Sequence, residues 1–174
     1  MTPLPGTLSP KKRIARMLRL NLAGEYGAQR IYEGQLAALK NHPCAPLLEH
    51  MKAQETIHLK HFEKWVVDHH VRPTALQPLW HIAGYALGIA TGLLGEKAAM
   101  ACTAAVEEVI DQHYENQLKE LGDQAPDLSV LIANCQEDEQ AHRNIALEQG
   151  PAYPRLSSAI KAASRLAIWL SERV

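Results

Sequence analysis

Apolar residues recur along most of this chain at the three-and-four spacing of a helix, and no run alternates with the period of a strand. Ser9-Pro10 reads as an N-cap followed by proline at the first helical position, and from there Ile14, Met17, Leu18, Leu22 and Ala28 mark one face of a helix running to about Lys40. Asn21 and Glu25 fall in line with that apolar face rather than with the wet one. Gly24 and Gly27 flank Glu25. Glycine inside a helix costs about 1 kcal/mol relative to alanine, and a close neighbouring element is the expected reason for both. Asn41-His42-Pro43 ends this helix, and a second, starting between Pro43 and Pro46 and reaching about His70, carries Leu47, Met51, Glu55, His58, Phe62 and Val66 on one face. The loop is short, so the two helices are antiparallel neighbours.

From Pro73 to Gly95 the chain holds no Asp, Glu, Lys or Arg. Three readings stand: a membrane span, a buried crossover, or an apolar segment lying in or against a membrane surface. Pro73, Gln77, Pro78 and His81 speak against a span, and Gly84, Gly88 and Gly92 form a small-residue face suited to close helix packing. A fourth helix runs from about Glu96 to Leu121 and a fifth from Pro126 to about Gln149, where Gly150 to Pro154 stops it. Leu156 to Val174 forms an amphipathic tail helix with Leu156, Ile160, Ala163, Ala167 and Leu170 on one side, either docked on the core or lying on a membrane.

A chain of 174 residues is one domain's worth, with residues 1–8 expected to be flexible. Its net charge of -1 gives no sign of a nucleic-acid partner. Lys11, Lys12, Arg13, Arg16 and Arg19 nevertheless crowd together, as a solvated helical turn or as a contact to anionic lipid or a cofactor phosphate. Cys44, Cys102 and Cys135 are too few and too scattered for a disulfide framework or a thiolate metal site, which fits a reducing cytoplasm. No export or import leader is expected at the N-terminus.

The chemistry lies in two Glu-x-x-His pairs, Glu55 with His58 and Glu139 with His142. On a helix such a pair projects from one face, a turn apart, and grips one ion. Glu25 precedes the first pair and Glu107 the second; 82 positions separate the lone glutamates, and 84 separate the paired glutamates and the paired histidines alike. At the helical rise, each glutamate sits roughly 20 Å from the turn of its own hairpin, so the carboxylates come level. A duplicated hairpin joined by a long crossover matches the all-α, ferritin-like four-helix bundle, in which two lone glutamates and two Glu-x-x-His pairs converge on a dinuclear centre. Four carboxylates offset two divalent ions in a buried interior that could hold neither alone. Mixed oxygen and imidazole donors suit iron or manganese.

Asn21 to Tyr32, with its run Asn-Leu-Ala-Gly-Glu-Tyr-Gly-Ala, resembles the first-helix signature of the demethoxyubiquinone hydroxylases of ubiquinone biosynthesis. Gly92-Leu93-Leu94-Gly95 with Ala98 to Thr103 and Val106-Glu107-Glu108 is similar to their middle segment, Asp138-Glu139 to His142 to their last ligand motif, and Leu170 to Val174 to their close. The resemblance implies two iron ions on Glu25, Glu55, His58, Glu107, Glu139 and His142, with Glu107 rather than Glu108 as ligand. It further implies a monooxygenase that uses O2, with quinone-mediated or NADH-derived electrons, to hydroxylate the ring of a polyprenyl quinol. His113, Tyr114 and Arg16 match residues that the family places near the iron, and Tyr114, seven residues after Glu107, falls on the ligand face by helical geometry as well. A substrate with an isoprenoid tail implies peripheral attachment to the cytoplasmic side of a bacterial cell membrane, with a lipid-binding partner or a biosynthetic complex nearby. Leu79 to Leu94 would supply the entry surface, so that Leu87→Glu with Ile89→Glu is expected to abolish membrane association and spare the iron. The alternatives are an iron oxidase or peroxidase of ferritin or rubrerythrin type, and a lipid-binding scaffold without catalysis.

Overall fold

The computed structural model describes residues 8–149 and 153–174. Their regular structure is helical throughout: α1 (Pro10–Leu39), α2 (Ala45–Asp68), α3 (Gln77–Leu93), α4 (Glu96–Leu121), α5 (Pro126–Gln149) and α6 (Pro154–Ser171). The flexibility expected of residues 1–8 and the stop expected at 150–154 fall largely outside the described residues. Ser9 caps α1 by accepting from the Lys12 amide at 3.4 Å, with Pro10 in the first turn. α2 ends at Asp68, two residues short of expectation. His70 takes a left-handed conformation (φ 51) there, and the Val71 amide reaches back to the Val66 carbonyl at 2.9 Å while the Val71 side chain enters the core.

The hairpins α1–α2 and α4–α5 pack as a four-helix bundle, and α3 lies along α1 while α6 lies along α4. The interior is layered along the bundle axis. One apolar cluster holds Met17, Leu18, Phe62, Val66, Ile110 and Leu128, and a second holds Leu39, Leu48, Met51, Met100 and Ala146. Between them Glu25, Glu55, His58, Glu107, Glu139 and His142 are all buried. A polar layer between two dry ones cannot reach water, so its groups must satisfy one another or a bound cation.

α3 settles two of its three readings. Among the described residues no helix is long and apolar enough to cross a membrane. Nor is α3 a buried crossover, because only Gly88, Thr91 and Gly92 are fully buried, while Ile82 is 68% exposed and Leu93 75%. The glycine face is responsible: it brings α3 backbone to backbone against α1 and turns the large side chains outward or sideways. Leu87 accordingly lines a half-open apolar pocket and Ile89 is half-buried, so neither offers the outward surface expected of it; Leu79 and Ile82 do.

Gly24 and Gly27 reverse their expectation too. A methyl group on either would meet nothing within 4 Å, and both border the same cavity. In α6 only Ile160 and Ser171 are fully buried; the helix is tied down by Lys161 to Glu108 (2.6 Å) and by the Trp80 indole donating to Ser171 (2.9 Å). Three of the five clustered N-terminal cations are engaged within the fold, Arg13 with Gln124, Arg16 with Glu120 and Arg19 with the Arg72 carbonyl.

Candidate metal centre

The six residues form two overlapping groups. Glu25, Glu55, His58 and Glu139 present donor atoms within 4.8 Å of one another, and so do Glu55, Glu107, Glu139 and His142. Glu55 and Glu139 belong to both, so two cations held there would share these two carboxylates, and one further glutamate and one histidine would complete each group. The donor set fits cations on a specific observation. Glu25 Oε2, Glu107 Oε2, both carboxylate oxygens of Glu55 and of Glu139, and the Nδ1 atoms of His58 and His142 are buried without a hydrogen-bond partner. Beside them stand only the imidazoles, His58 Nδ1 3.4 Å from Glu25 and 3.3 Å from Glu139 and His142 Nδ1 3.2 Å from Glu55, and a dry interior does not tolerate four carboxylates around two imidazoles unless they face further positive charge.

The electrostatics agree. Burial first, then repulsion from Glu139, Glu25 and Glu107, holds Glu55 well above the usual carboxylate range; burial and Glu139 do the same to Glu107. Burial lowers His142. Burial also opposes charge on His58, yet Glu139 and Glu25 outweigh it and push His58 up to about 11, so the carboxylates draw a proton onto the imidazole in their midst.

Both histidines turn Nδ1 to the centre and are held by Nε2, and the holding residue comes from the opposite hairpin. His58 Nε2 donates to Asp138 Oδ2 at 3.0 Å, His142 Nε2 to Gln54 Oε1 at 2.9 Å, and Gln54 Nε2 closes the circuit on Asp138 Oδ1 at 3.2 Å. A carboxylate behind a ligating imidazole fixes ring orientation and raises its basicity. Two tyrosines cross in the same way: Tyr32 donates to Glu107 at 2.9 Å, and Tyr114 donates to Glu25. Burial, reinforced by Glu107 for Tyr32 and by Glu25 for Tyr114, holds both phenols above their usual range, so they remain donors. Asp138, Gln54 and Tyr32 were not among the sequence-derived site residues. The repeat carried their signal, since Gln54 and Asp138 each precede a paired glutamate, and Tyr32 stands seven residues after Glu25 as Tyr114 does after Glu107. Asp138→Ala is expected to weaken divalent-ion binding about 10- to 100-fold with the fold intact, as measured by competition with a chelating dye.

Tyr114 connects the centre to an apolar cavity of about 200 Å³ between α1, α3, α4 and α6, bordered by Gly24, Gly27, Leu87, Val106, Ile110 and Tyr114. His113 stands on its wall, where burial, then the nearby Arg16 charge, lowers it to about 4 and keeps it neutral. Its Nε2 accepts from Gln117 at 2.7 Å, and Gln117 is locked to Asn21 by a second pair of bonds. The proton of the ring therefore sits on Nδ1. Arg16 itself lies farther out, half-buried against Glu120, and Glu108 points away from the centre to Lys161.

The six residues that the resemblance implied as ligands form one buried layer, and the family profile described as "Ubiquinone biosynthesis protein COQ7" matches residues 12–171. The chain belongs to the COQ7 family. It is 53% identical to 3-demethoxyubiquinol 3-hydroxylase of Rhodospirillum rubrum, covering 98% of this chain and 83% of that protein. It is 46% identical to the mitochondrial NADPH-dependent 3-demethoxyubiquinone 3-hydroxylase of Homo sapiens (92% and 78% covered) and 35% identical to the mitochondrial 5-demethoxyubiquinone hydroxylase of Saccharomyces cerevisiae (91% and 77%). As a COQ7 member the chain is an enzyme of ubiquinone biosynthesis, a hydroxylase rather than an iron store, a peroxidase or a scaffold.

Proposed function

We propose that this chain hydroxylates the ring of a polyprenyl demethoxy-quinol with O2 at two iron ions held by Glu25, Glu55, His58, Glu107, Glu139 and His142. The observation that carries the reading is the apolar cavity whose inner wall is Tyr114, the residue that donates to Glu25 of the cluster. Two ferrous ions bound there would supply the two electrons that let O2 give one oxygen atom to the ring and the other to water. The chain's own residues do the rest. The hydroxyl of Tyr114 holds Glu25 in place from the cavity side, so the carboxylate next to the substrate keeps its orientation. Walls of Leu87, Val106 and Ile110 exclude water around the ring. His113, neutral and with its proton on Nδ1, offers a donor to a ring oxygen, and the Gln117–Asn21 pair fixes that tautomer.

The cavity also supports a route for the isoprenoid tail. It is bounded by α3 and α6, and the outward sides of these helices expose Leu79, Ile82, Leu93, Leu94, Leu166 and Trp169. Such a patch suits a peripheral position on the cytoplasmic face of the membrane, with the tail left in the bilayer. Leu79→Glu with Ile82→Glu is expected to abolish sedimentation with liposomes while leaving iron content unchanged; unaltered sedimentation would remove α3 from the membrane contact.

The deciding experiment loads the protein anaerobically with Fe²⁺ and adds a reduced demethoxyubiquinone analogue and O2. Hydroxylated product from protein holding two irons per chain is the expected result; two irons and no product would overturn the reading. Gly24→Leu, which fills the cavity where a methyl group meets nothing within 4 Å, is expected to keep both irons and lower kcat/KM more than about 10-fold, a loss of roughly 1.4 kcal/mol or more.

A further inference from the structure

A second cluster of donor atoms lies at the far end of the bundle, where the α1–α2 turn meets the start of α4. His42 Nδ1 stands 3.1 Å from Cys44 Sγ and accepts from the Cys44 amide at 3.3 Å, and a ring nitrogen of His42, Cys44 Sγ and a Glu96 carboxylate oxygen lie within 4.8 Å of one another. Two segments bring them there, the α1–α2 turn and the start of α4. His42 sits in the turn, Cys44 is the N-cap of α2, and Glu96 opens α4 directly after Gly95, whose left-handed backbone (φ 99) lets the chain swing from α3 into α4. Cys44 is 5% exposed and Glu96 is half-buried, and among the described residues no lysine or arginine pairs with Glu96.

We propose that His42, Cys44 and Glu96 form a separate mononuclear site for a divalent cation of the zinc class. Thiolate, imidazole and carboxylate are the three donor types that zinc accepts, and a water completes the tetrahedron. Ligands around such an ion stand about 3.5 Å apart, so the trio needs adjustments well within the reach of a turn. The thiolate and the carboxylate neutralise the ion, and the thiol proton passes to solvent as the sulfur–metal bond forms. The surface hollow along Ala37 to His42 gives an ion access to the imidazole. The ion would pin the turn of the first hairpin to the first turn of the second.

Co²⁺ is the probe, because a thiolate ligand gives it a near-ultraviolet charge-transfer band that carboxylates and imidazoles do not. Full-length protein already saturated with Fe²⁺ at the carboxylate centre and then titrated with Co²⁺ is expected to develop this band, saturating at one further equivalent. Cys44→Ser, with Cys44→Ala beside it, is expected to abolish the band and the rise in Tm that Zn²⁺ gives the parent. His42→Gln and Glu96→Gln are each expected to weaken Co²⁺ binding at least tenfold, and all four variants to retain iron and hydroxylation. A parent without the band, a band that survives Cys44→Ser, or binding unchanged in both His42→Gln and Glu96→Gln overturns the proposal and leaves a hydrogen-bonded turn only. Iron content and product are read separately, so failure here leaves the proposed function untouched.

Discussion

Glu55→Gln is expected to lower hydroxylation by at least about 10³-fold, equivalent to about 4 kcal/mol of barrier, and to leave the protein unable to retain two irons. Glu55 contributes to both ligand groups, so its loss removes a donor and a charge from each end of the centre at once. The stability effect has the opposite sign in metal-free protein. Burial and three neighbouring carboxylates hold the folded-state pKa of Glu55 well above 4.5. A carboxyl raised on folding costs stability once the pH exceeds its unfolded value, because the unfolded chain can ionise and the folded one resists; below that value both states hold the proton and the cost vanishes. Metal-free Glu55→Gln is therefore expected to have a higher Tm than the metal-free parent at pH 7, an advantage that shrinks as the pH falls toward 4.5. In iron-loaded protein the order reverses, since the parent alone gains the binding free energy. Thermal scans of both proteins, with and without Fe²⁺, at two pH values give the four signs; a metal-free variant less stable than its parent at pH 7 would contradict the repulsion described above.

Gly88→Val is expected to destabilise the fold by about 3 kcal/mol or more, a fall in Tm of roughly 6–12 °C for a chain of this size. A Cβ at Gly88 would collide with the Ile31 carbonyl and stand 2.9 Å from the Gln35 amide nitrogen and from Gly34 Cα. These are backbone atoms of α1, which cannot rotate aside, so α3 must lift. Leu87 moves with it, and the cavity wall is lost together with the packing. Gly24→Ala is the control. It adds a methyl where nothing lies within 4 Å and removes a helical glycine, so the same scan is expected to show an unchanged or slightly higher Tm.

The contrast between these glycines marks where sequence reasoning stops. Helical spacing located the hairpins, and the duplicated Glu-x-x-His frame located six residues that the fold gathers into one buried layer. Those signals are local or periodic, and the chain displays them directly. A helical glycine says only that a side chain is absent. Gly88 makes room for a backbone, whereas Gly24 and Gly27 make room for a void, and the choice depends on the path of α3 across α1. The orientation of α3 was hidden for the same reason: an uncharged stretch does not reveal that its smallest residues face inward, leaving Ile82 outside and Leu87 at the cavity. Asp138, Gln54 and Tyr32 act on ligands of the other hairpin, so periodicity within one helix could not expose them, although the repeat offset holds them in register.

Those crossed holds also bear on the order of events during synthesis. Tyr32 and Glu107 are 75 positions apart, His58 and Asp138 80, Gln54 and His142 88, and Glu25 and Tyr114 89. Contacts so distant along the chain form late, and none of the four exists while only the first hairpin has left the ribosome. Unlike a zinc finger, whose ion organises an unfolded peptide, this chain must bring its two hairpins together before the two donor groups that could hold a cation exist. A cation that binds there adds its binding free energy to a fold already assembled, so it stabilises the finished bundle without directing how the chain reaches it.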